Sequence, residues 1–573
     1  MRYQNRISTI MFILFIGALI MACNVSFGDT ETATGDPAES APAAPTGSLE
    51  ITVLYGSEKE QWMEAVVAEF NAQENPSTSG SPIYVTATPI GSNESLEQIL
   101  NGEAQPTVWS PASSILIPVA NDRWAQANEG ATLVNPDSPP LVLSPVVIAM
   151  WEPMATALGW PDTPIGWSDI AGLARGDSTW ADYGYPEWGT FKFGHTHPDY
   201  SNSGIVSIIA TTYAATGKTR DLTIADVQQP ETAQFIADVE SGVIHYGRST
   251  GFFANQMFER GPSYLSAAIL YENLVVQSYD TSLYNTSLPV VAVYPKEGTF
   301  WSDHPYAILD APWVDDEQRA AAETFRDYLL AAEQQQRALE FGFRPADPDI
   351  SIGAPIETAN GVDPQQPQTL LSVPDADVIG AIRESWGENK KRVDVMVVLD
   401  VSGSMADENR LENAKVALNS FIGQLAEEDG LGVTIFNSNA TELSPMSPIG
   451  PKREELLNRI GGLFPEGGTR LIDTVGEVYT QLNTEPPGER IRAIVVLSDG
   501  DDTDSSGNAS TIVDQLQGNT EGDSIKVFTI AYGTGTDVDT ELLDSISTAS
   551  GAKSYESSPT DIEEVYRDIA TFF

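Results

Sequence analysis

The sequence predicts an α/β protein with two folded regions and a short connector between them. Three observations predict it. Segments of strand period alternate with segments of helical period from Leu49 onward. The 573 residues exceed one ordinary domain. A stretch rich in Pro, Gly and Gln, Ser351 to Pro374, interrupts the alternation. The apolar fraction, 41%, is enough for real cores. With 81 acidic and 30 basic residues the net charge is −51, which argues against nucleic acid and against charge-driven binding to anionic lipid. Most of these carboxylates read as a solvated surface. The single cysteine, Cys23, excludes an intrachain disulfide and a cysteine-rich zinc site. None of the four histidines forms an HExxH pair.

Residues 1–22 read as a targeting segment. Arg2 and Arg6 are basic, and Ile10 to Met21 is nearly all apolar but short of the roughly 20 residues a membrane span needs. The run ends at Ile20-Met21-Ala22-Cys23. It resembles the lipobox of a bacterial lipoprotein signal peptide, with Met21 a mild departure. The resemblance implies cleavage before Cys23, diacylglycerol on its thiol, and a lipid anchor in the cell membrane facing the exterior or periplasm. Residues 23–48 are rich in Ala, Pro, Thr, Ser and acid and predict a disordered tether.

The first folded region spans residues 49–350. Leu49 to Tyr55 alternates like a strand, Gly56-Ser57 breaks it, and Trp62, Met63, Val66, Val67 and Phe70 follow at helical spacing. Several further segments stand in order: Pro106 to Ser113, Leu143 to Ala149, Ile165 to Ile170, and Ala321 to Leu339 followed by Gly342-Phe343-Arg344-Pro345. Together they resemble bacterial extracellular solute-binding proteins of the type II periplasmic-binding fold. The resemblance implies two lobes, a hinge, and a small-molecule solute in the cleft between them. Helix N-termini offer backbone N–H groups to such a ligand. The hydroxyls of Ser57, Ser110, Ser113, Ser201 and Ser203 are candidate donors beside them. Tyr271 and Glu272 stand where the family often has a ligand-facing residue. For each serine the plain alternative is a cap or turn. For Trp109, Trp151, Trp160 and Trp167 it is core packing.

Residues 351–391 form the connector. Val378, Ile379, Ile382 and Trp386 predict one docking helix within it.

The second region, residues 392–573, opens on Val393 to Leu399, apolar apart from Asp394, like a strand buried on both faces of a parallel sheet. A helix follows, with Leu411, Ala414, Leu418, Phe421, Ile422 and Leu425 on one face and Gly430 as its stop. Further strands are expected at 432–437, 493–497 and 525–532. This is a doubly wound, Rossmann-like pattern, in which ligands bind at the carboxyl ends of the strands. Asp400-Val401-Ser402-Gly403-Ser404, Gly467-Gly468-Thr469 and Ser498-Asp499-Gly500 all follow strands or precede helices there. The region resembles the von Willebrand factor A domain. The resemblance implies a metal-ion-dependent adhesion site of Asp400, Ser402, Ser404, Thr469 and Asp499, completed by an acidic residue of a protein partner. Hard oxygens and few charges suit Mg²⁺ first, with Mn²⁺ and Ca²⁺ compatible. From Asp502 the sequence partly imitates a calcium loop, but Val513 stands where Glu is needed, so a solvated acidic rim is the better reading.

The leading functional expectation is a lipid-anchored surface protein that captures a solute with one domain and docks a protein partner through metal with the other. The alternative is a receptor handing solute to an ABC-type permease, with the A domain as an assembly module. No Walker A loop, G-x-S-x-G elbow or HExxH is present, so an enzyme is not expected.

Overall fold

The computed structural model describes residues 44–573 apart from 136, 485–489, 500–501, 518–524, 534–538, 551, 559–561, 571 and 573. The targeting segment, Cys23 and most of the tether lie outside the described residues. No helix among those described is long and apolar enough to cross a membrane.

The first region opens on β1 (Leu49–Gly56), whose alternate residues Ile51, Val53 and Tyr55 are buried. It continues through β2 (Ile83–Ile90), β3 (Val108–Ser110), β4 (Val142–Trp151), β5 (Phe193–Thr196) and β6 (Val243–Gly247). After these come β7 (Ala267–Tyr271), β8 (Val290–Val293), β9 (Trp301–Ser302), β10 (Ala307–Ile308) and β11 (Arg344–Pro345). They form two sheets, each the centre of a lobe. One has the order β10-β3-β1-β2. The other has the order β11-β4-β7-β5-β6, with β8 and β9 also paired to β4. The chain crosses between lobes on β4: Leu141 and Val142 lie in the core of lobe one, and Val146 onward in that of lobe two. It returns between β9, paired with β4, and β10, paired with β3. His304 sits in this return crossing, fully buried, with φ 42°, a backbone conformation a non-glycine residue adopts only when its surroundings hold it there.

The helix Glu60–Ala72 buries Trp62, Met63, Val66 and Phe70 on lobe one, as its spacing predicts. Trp109, Trp151 and Trp167 are core residues, and Trp160 packs half-buried against the core. The lobes are closed on each other. The amides of Asn93 and Glu94 in lobe one both donate to the Tyr200 carbonyl of lobe two at 3.1 Å. Closure needs Gly91: a Cβ there would lie 2.4 Å from the Tyr200 oxygen.

The connector helix is Ala376–Asn389. It buries Val378, Ile379, Ile382 and Trp386 against lobe two, on the helices Asn202–Thr216 and Pro230–Glu240. The Trp386 ring meets His197 edge-on at 5.0 Å and Tyr246 at 5.5 Å.

The second region contains β12 (Val393–Asp400), β13 (Gly430–Phe436), β14 (Ala440–Pro448), β15 (Ile491–Ser498), β16 (Lys526–Tyr532) and β17 (Ser554–Ser557). They make one sheet of order β14-β13-β12-β15-β16-β17, parallel except for the edge strand β14. Apolar side chains cover both faces. Arg410–Gln424 and Ile562–Ala570 pack on one, and Leu471–Thr484, Ala509–Gln517 and Thr540–Ser550 on the other. This region docks on lobe two: the Tyr246 amide donates to the Phe572 carbonyl at 3.3 Å, and Arg260 to the Ala552 carbonyl at 3.1 Å. Arg248 of lobe two pairs with both Glu94 of lobe one and Asp568 of the last helix.

Candidate functional site

Strands β12 and β15 are neighbours, and the chain leaves β12 toward β13 on one side and returns to β15 on the other. Their carboxyl ends therefore flank the point where strand order reverses, which in this architecture opens a crevice. Asp400 ends β12, Ser498 ends β15, and Asp499 follows at once. All three are buried. One hydrogen-bonded chain joins the candidates. The Ser402 amide donates to Asp400 Oδ1 at 2.7 Å, and the Ser498 hydroxyl donates to Asp400 Oδ2 at 2.7 Å. The hydroxyls of Ser402 and Ser404 are 3.1 Å apart, and Ser404 donates to Asp499 Oδ1 at 2.8 Å. The Thr469 loop lies against them, because the Gly403 amide donates to the Gly467 carbonyl at 3.0 Å. That loop is pinned in turn: the Thr469 amide donates to Thr503 Oγ1 at 2.9 Å, and its carbonyl accepts from the amides of Thr503 and Asp504. Four of the five predicted residues thus share a bonded network, and the fifth borders it. Ser402 is buried and Ser404 exposed, so the cluster has one open side.

Burial pushes the Asp400 carboxyl up to about 6. Hydrogen bonds from Ser498 and Ser402 offset part of that, and the Asp499 charge adds to it. The fold therefore holds an anion at a place that penalises negative charge, which is where a cation gives most. Among the described residues no group of three or more His, Cys, Asp or Glu is placed to hold a metal. The set here, two carboxylates and three hydroxyls, is one of hard oxygens that fits Mg²⁺ better than a soft-ligand metal.

Two neighbours escaped the sequence reading. Ser498 orients Asp400. Arg410 is buried with its Nη1 3.0 Å from Asp499 Oδ2. The acidic run after Asp499 binds backbone: Asp502 accepts from the amides of Ile472 at 2.7 Å and Ser505 at 2.8 Å. Asp473 likewise accepts from the amides of Ser506 and Gly507. Those two carboxylates hold turns, which the sequence reading of a solvated acidic rim from Asp502 did not foresee.

The interlobe cleft is a second polar centre. Ser57 Oγ accepts from the Gly251 amide across the lobes at 3.2 Å. Ser201 and Ser203 both reach Thr250 Oγ1, at 3.0 and 2.8 Å, and Tyr271 accepts from Asn202 Nδ2 at 2.9 Å. Ser113 serves as a turn residue, accepting from the Ile115 amide. Glu272 does not join them. Arg344 holds its carboxylate in a buried two-pronged pair at 2.7 Å per contact, and Tyr294 donates to it as well. It clasps the Gly-Phe-Arg-Pro tail onto lobe two. Sequence reasoning also missed the centre of the cleft, a fully buried trio. Lys59 Nζ lies 2.9 Å from Glu58 Oε1, 3.0 Å from the Ser110 carbonyl and 3.2 Å from His304 Nδ1. Burial works against the Glu58 charge, but Lys59 and His304 outweigh it and hold the carboxyl down at about 2. Around this trio and Tyr271, three buried polar atoms have no hydrogen-bond partner among the described residues: Ser110 Oγ, Asn202 Oδ1 and His304 Nε2. Orphans of this kind each cost stability unless something pairs with them.

Residues 51–344 match the family model for bacterial extracellular solute-binding proteins, and residues 394–568 match that for the von Willebrand factor type A domain. No curated protein matches the chain. Among solved structures, a periplasmic thiamin binding protein is 13% identical, over 62% of this chain and 100% of its own, with a TM-score of 0.44. The periplasmic binding protein AfuA from Actinobacillus pleuropneumoniae, with exogenous fructose-6-phosphate bound, is 16% identical over 60% of this chain and 99% of its own, with a TM-score of 0.40. A von Willebrand factor type A protein from Catenulispora acidiphila is 20% identical over 32% of this chain and 42% of its own, with a TM-score of 0.28.

Proposed function

The chain belongs to the bacterial extracellular solute-binding protein family, and from that premise, with a von Willebrand factor type A domain following it, we propose an exported binding protein that takes a small solute in its cleft and a protein partner at a metal centre. The observation that carries the metal centre is the bonded network of Asp400, Ser402, Ser404 and Asp499 at the strand switch point, with Thr469 beside it. Ser402, Ser404 and Thr469 would hold Mg²⁺ through hydroxyl oxygens, and Asp400 and Asp499 would supply its charge balance. The ion, when bound, offers a Lewis-acidic position for a partner's Asp or Glu. Mn²⁺ and Ca²⁺ fit the same donors less selectively. Ser498 and the Ser402 amide keep Asp400 oriented before any ion arrives, and the exposure of Ser404 leaves the partner a path. Calorimetric titration with Mg²⁺ tests this. A D400A/S404A double variant that binds Mg²⁺ as well as the parent chain refutes it.

The three orphaned polar atoms in the cleft support solute binding: a polar small molecule would pair with them when the lobes close over it. They also favour a second reading, a receptor that delivers the solute to an ABC-type permease. A metabolite screen by thermal shift separates the two from a mere scaffold, since a ligand at a hundred times its Kd adds about 2.7 kcal/mol of stability. Anchoring through a lipid on Cys23 completes the proposal. A C23S variant that stays in the membrane fraction counts against it.

A further inference from the structure

The centre of the interlobe cleft already holds a carboxylate of its own. Glu58 stands just beyond β1, at the carboxyl end of the strand, where this class of architecture places ligands. It is buried, and its side chain folds back over Gly56. A Cβ at Gly56 would collide with the Glu58 carboxylate, yet Gly56 has an ordinary φ of −62°. The glycine therefore serves space rather than backbone freedom, and that space is the seat of the carboxylate. Three parts of the chain hold Glu58 in it. Lys59 Nζ lies 2.9 Å from Oε1, His304 Nδ1 of the return crossing lies 3.2 Å from the same oxygen, and Asn273 of lobe two donates to the Glu58 carbonyl at 3.0 Å.

Glu58 thus occupies the cation that an anionic solute would need. Lys59 is the cation acting on Glu58 and His304, and against it stand two carboxylates, Glu58 and Asp303. His304 adds no charge, because burial and then the Lys59 ammonium hold its imidazole below the ordinary value. Helix starts do not reverse this sign. The helix Asn202–Thr216 has no acid in its first turn and brings about half a positive charge. The helix Glu60–Ala72 opens on its own Glu60. At the starts of Ser92–Asn101 and Thr250–Arg260, the Asn93 and Glu94 amides are spent on the Tyr200 carbonyl and the Gly251 amide on Ser57 Oγ. The unpartnered atoms agree with the charges. Asn202 donates through Nδ2 to Tyr271, so its orphaned Oδ1 wants a donor, which a deprotonated oxyanion lacks. The Ser110 hydroxyl can give or accept.

We propose that Glu58 is the specificity residue of the cleft: it stands on Lys59 where an anion would sit, so the cleft turns oxyanions away and takes an uncharged solute bearing O–H or N–H donors. This rests on the reading of the cleft as the solute site. The test is calorimetry on the full chain, with inorganic sulfate and phosphate as titrants against chloride at equal ionic strength. The parent chain should bind neither. E58A removes the resident charge and opens room beside Lys59. It should bind at least one of the two anions at a single saturable site, at least tenfold more tightly than the parent, and that anion should raise its Tm more than the parent's. E58Q removes the charge at nearly constant volume and keeps the test valid should E58A fail to fold. E58A/K59M, which lacks the cation, should lose the gained site. Saturable binding of either anion by the parent overturns the proposal by itself, as does the absence of any gain in both E58A and E58Q. An anionic metabolite bound in the parent's cleft does the same. An empty metabolite screen beside a gain in E58A refutes solute uptake and still supports exclusion of anions by Glu58.

Discussion

Replacing Arg410 by methionine should make the A domain bind Mg²⁺ more tightly while weakening the fold without it. The Arg410 guanidinium stands 3.0 Å from an Asp499 oxygen, and both side chains are buried. With charge centres about 4 Å apart and an effective dielectric near 20, their attraction is about 4 kcal/mol. Removing one partner of such a pair leaves a buried charge and costs about 3–5 kcal/mol. In EDTA, R410M should lose that much. With saturating Mg²⁺ a second cation serves the same carboxylate, so the loss should fall by at least 1.4 kcal/mol. By linkage that difference is a tenfold or greater gain in Mg²⁺ affinity. Loss of orientation at Asp499 works the other way, but the Ser404 hydroxyl, 2.8 Å from its other oxygen, still holds it. Urea unfolding in EDTA and in Mg²⁺ measures the two losses, and calorimetry measures the affinity. Equal losses in both media, or an R410M chain that binds Mg²⁺ no more tightly, would refute the reasoning.

Three further outcomes follow from the first region. E58Q should cost about 3–5 kcal/mol in urea unfolding at pH 7, because it strands the fully buried Lys59 ammonium. The Glu58 carboxyl is held at about 2, below its ordinary 4.5. Its stabilisation is thus present above about pH 4.5 and lost as pH falls toward 2, and E58Q should lack that part of the acid slope. G91A should prop the lobes apart, since its Cβ would meet the Tyr200 carbonyl at 2.4 Å, and small-angle scattering should show a larger radius of gyration than the parent. R248A removes the cation shared by Glu94 and Asp568 and leaves two partly buried carboxylates facing one another. We expect a loss of about 2–4 kcal/mol and faster proteolysis between the regions, with an unchanged protease pattern as the contrary result.

What was legible in the sequence was whatever repeats locally. The 3.6-residue spacing of Trp62, Met63, Val66 and Phe70 and the unbroken apolar run before Asp400 each fixed an element and its buried face. The metal-centre candidates were legible because three short strings each follow a strand or precede a helix, and the sheet brings two of the strand ends side by side. The cleft was legible only in outline. Its serines were named, but Glu272 was misjudged because its partner, Arg344, lies 72 residues away. Its centre went unseen because burial of Lys59 and His304 depends on how two lobes close.

The two missed cations nonetheless left a trace. Lys59 immediately precedes the helix Glu60–Ala72, and Arg410 opens the helix Arg410–Gln424. Each therefore stands at the positive end of a helix dipole, where a cation is disfavoured by about 0.3–1 kcal/mol when exposed, and more when buried. Both are buried, so in each case something must return that energy. In each case a carboxylate does: Glu58 at 2.9 Å and Asp499 at 3.0 Å. A buried basic residue at the start of an amphipathic helix is thus a physical anomaly whose first half, the basic residue at the helix start, the amino-acid order alone displays. Its resolution requires an acid, Glu58 next to Lys59 in the chain and Asp499 89 residues beyond Arg410, and each acid belongs to one of the two candidate centres. The charge arrangement that makes these helices tolerable is the same one that already pairs Asp499 with a cation. It sets how much a divalent ion gains by arriving, and this is the quantity R410M changes.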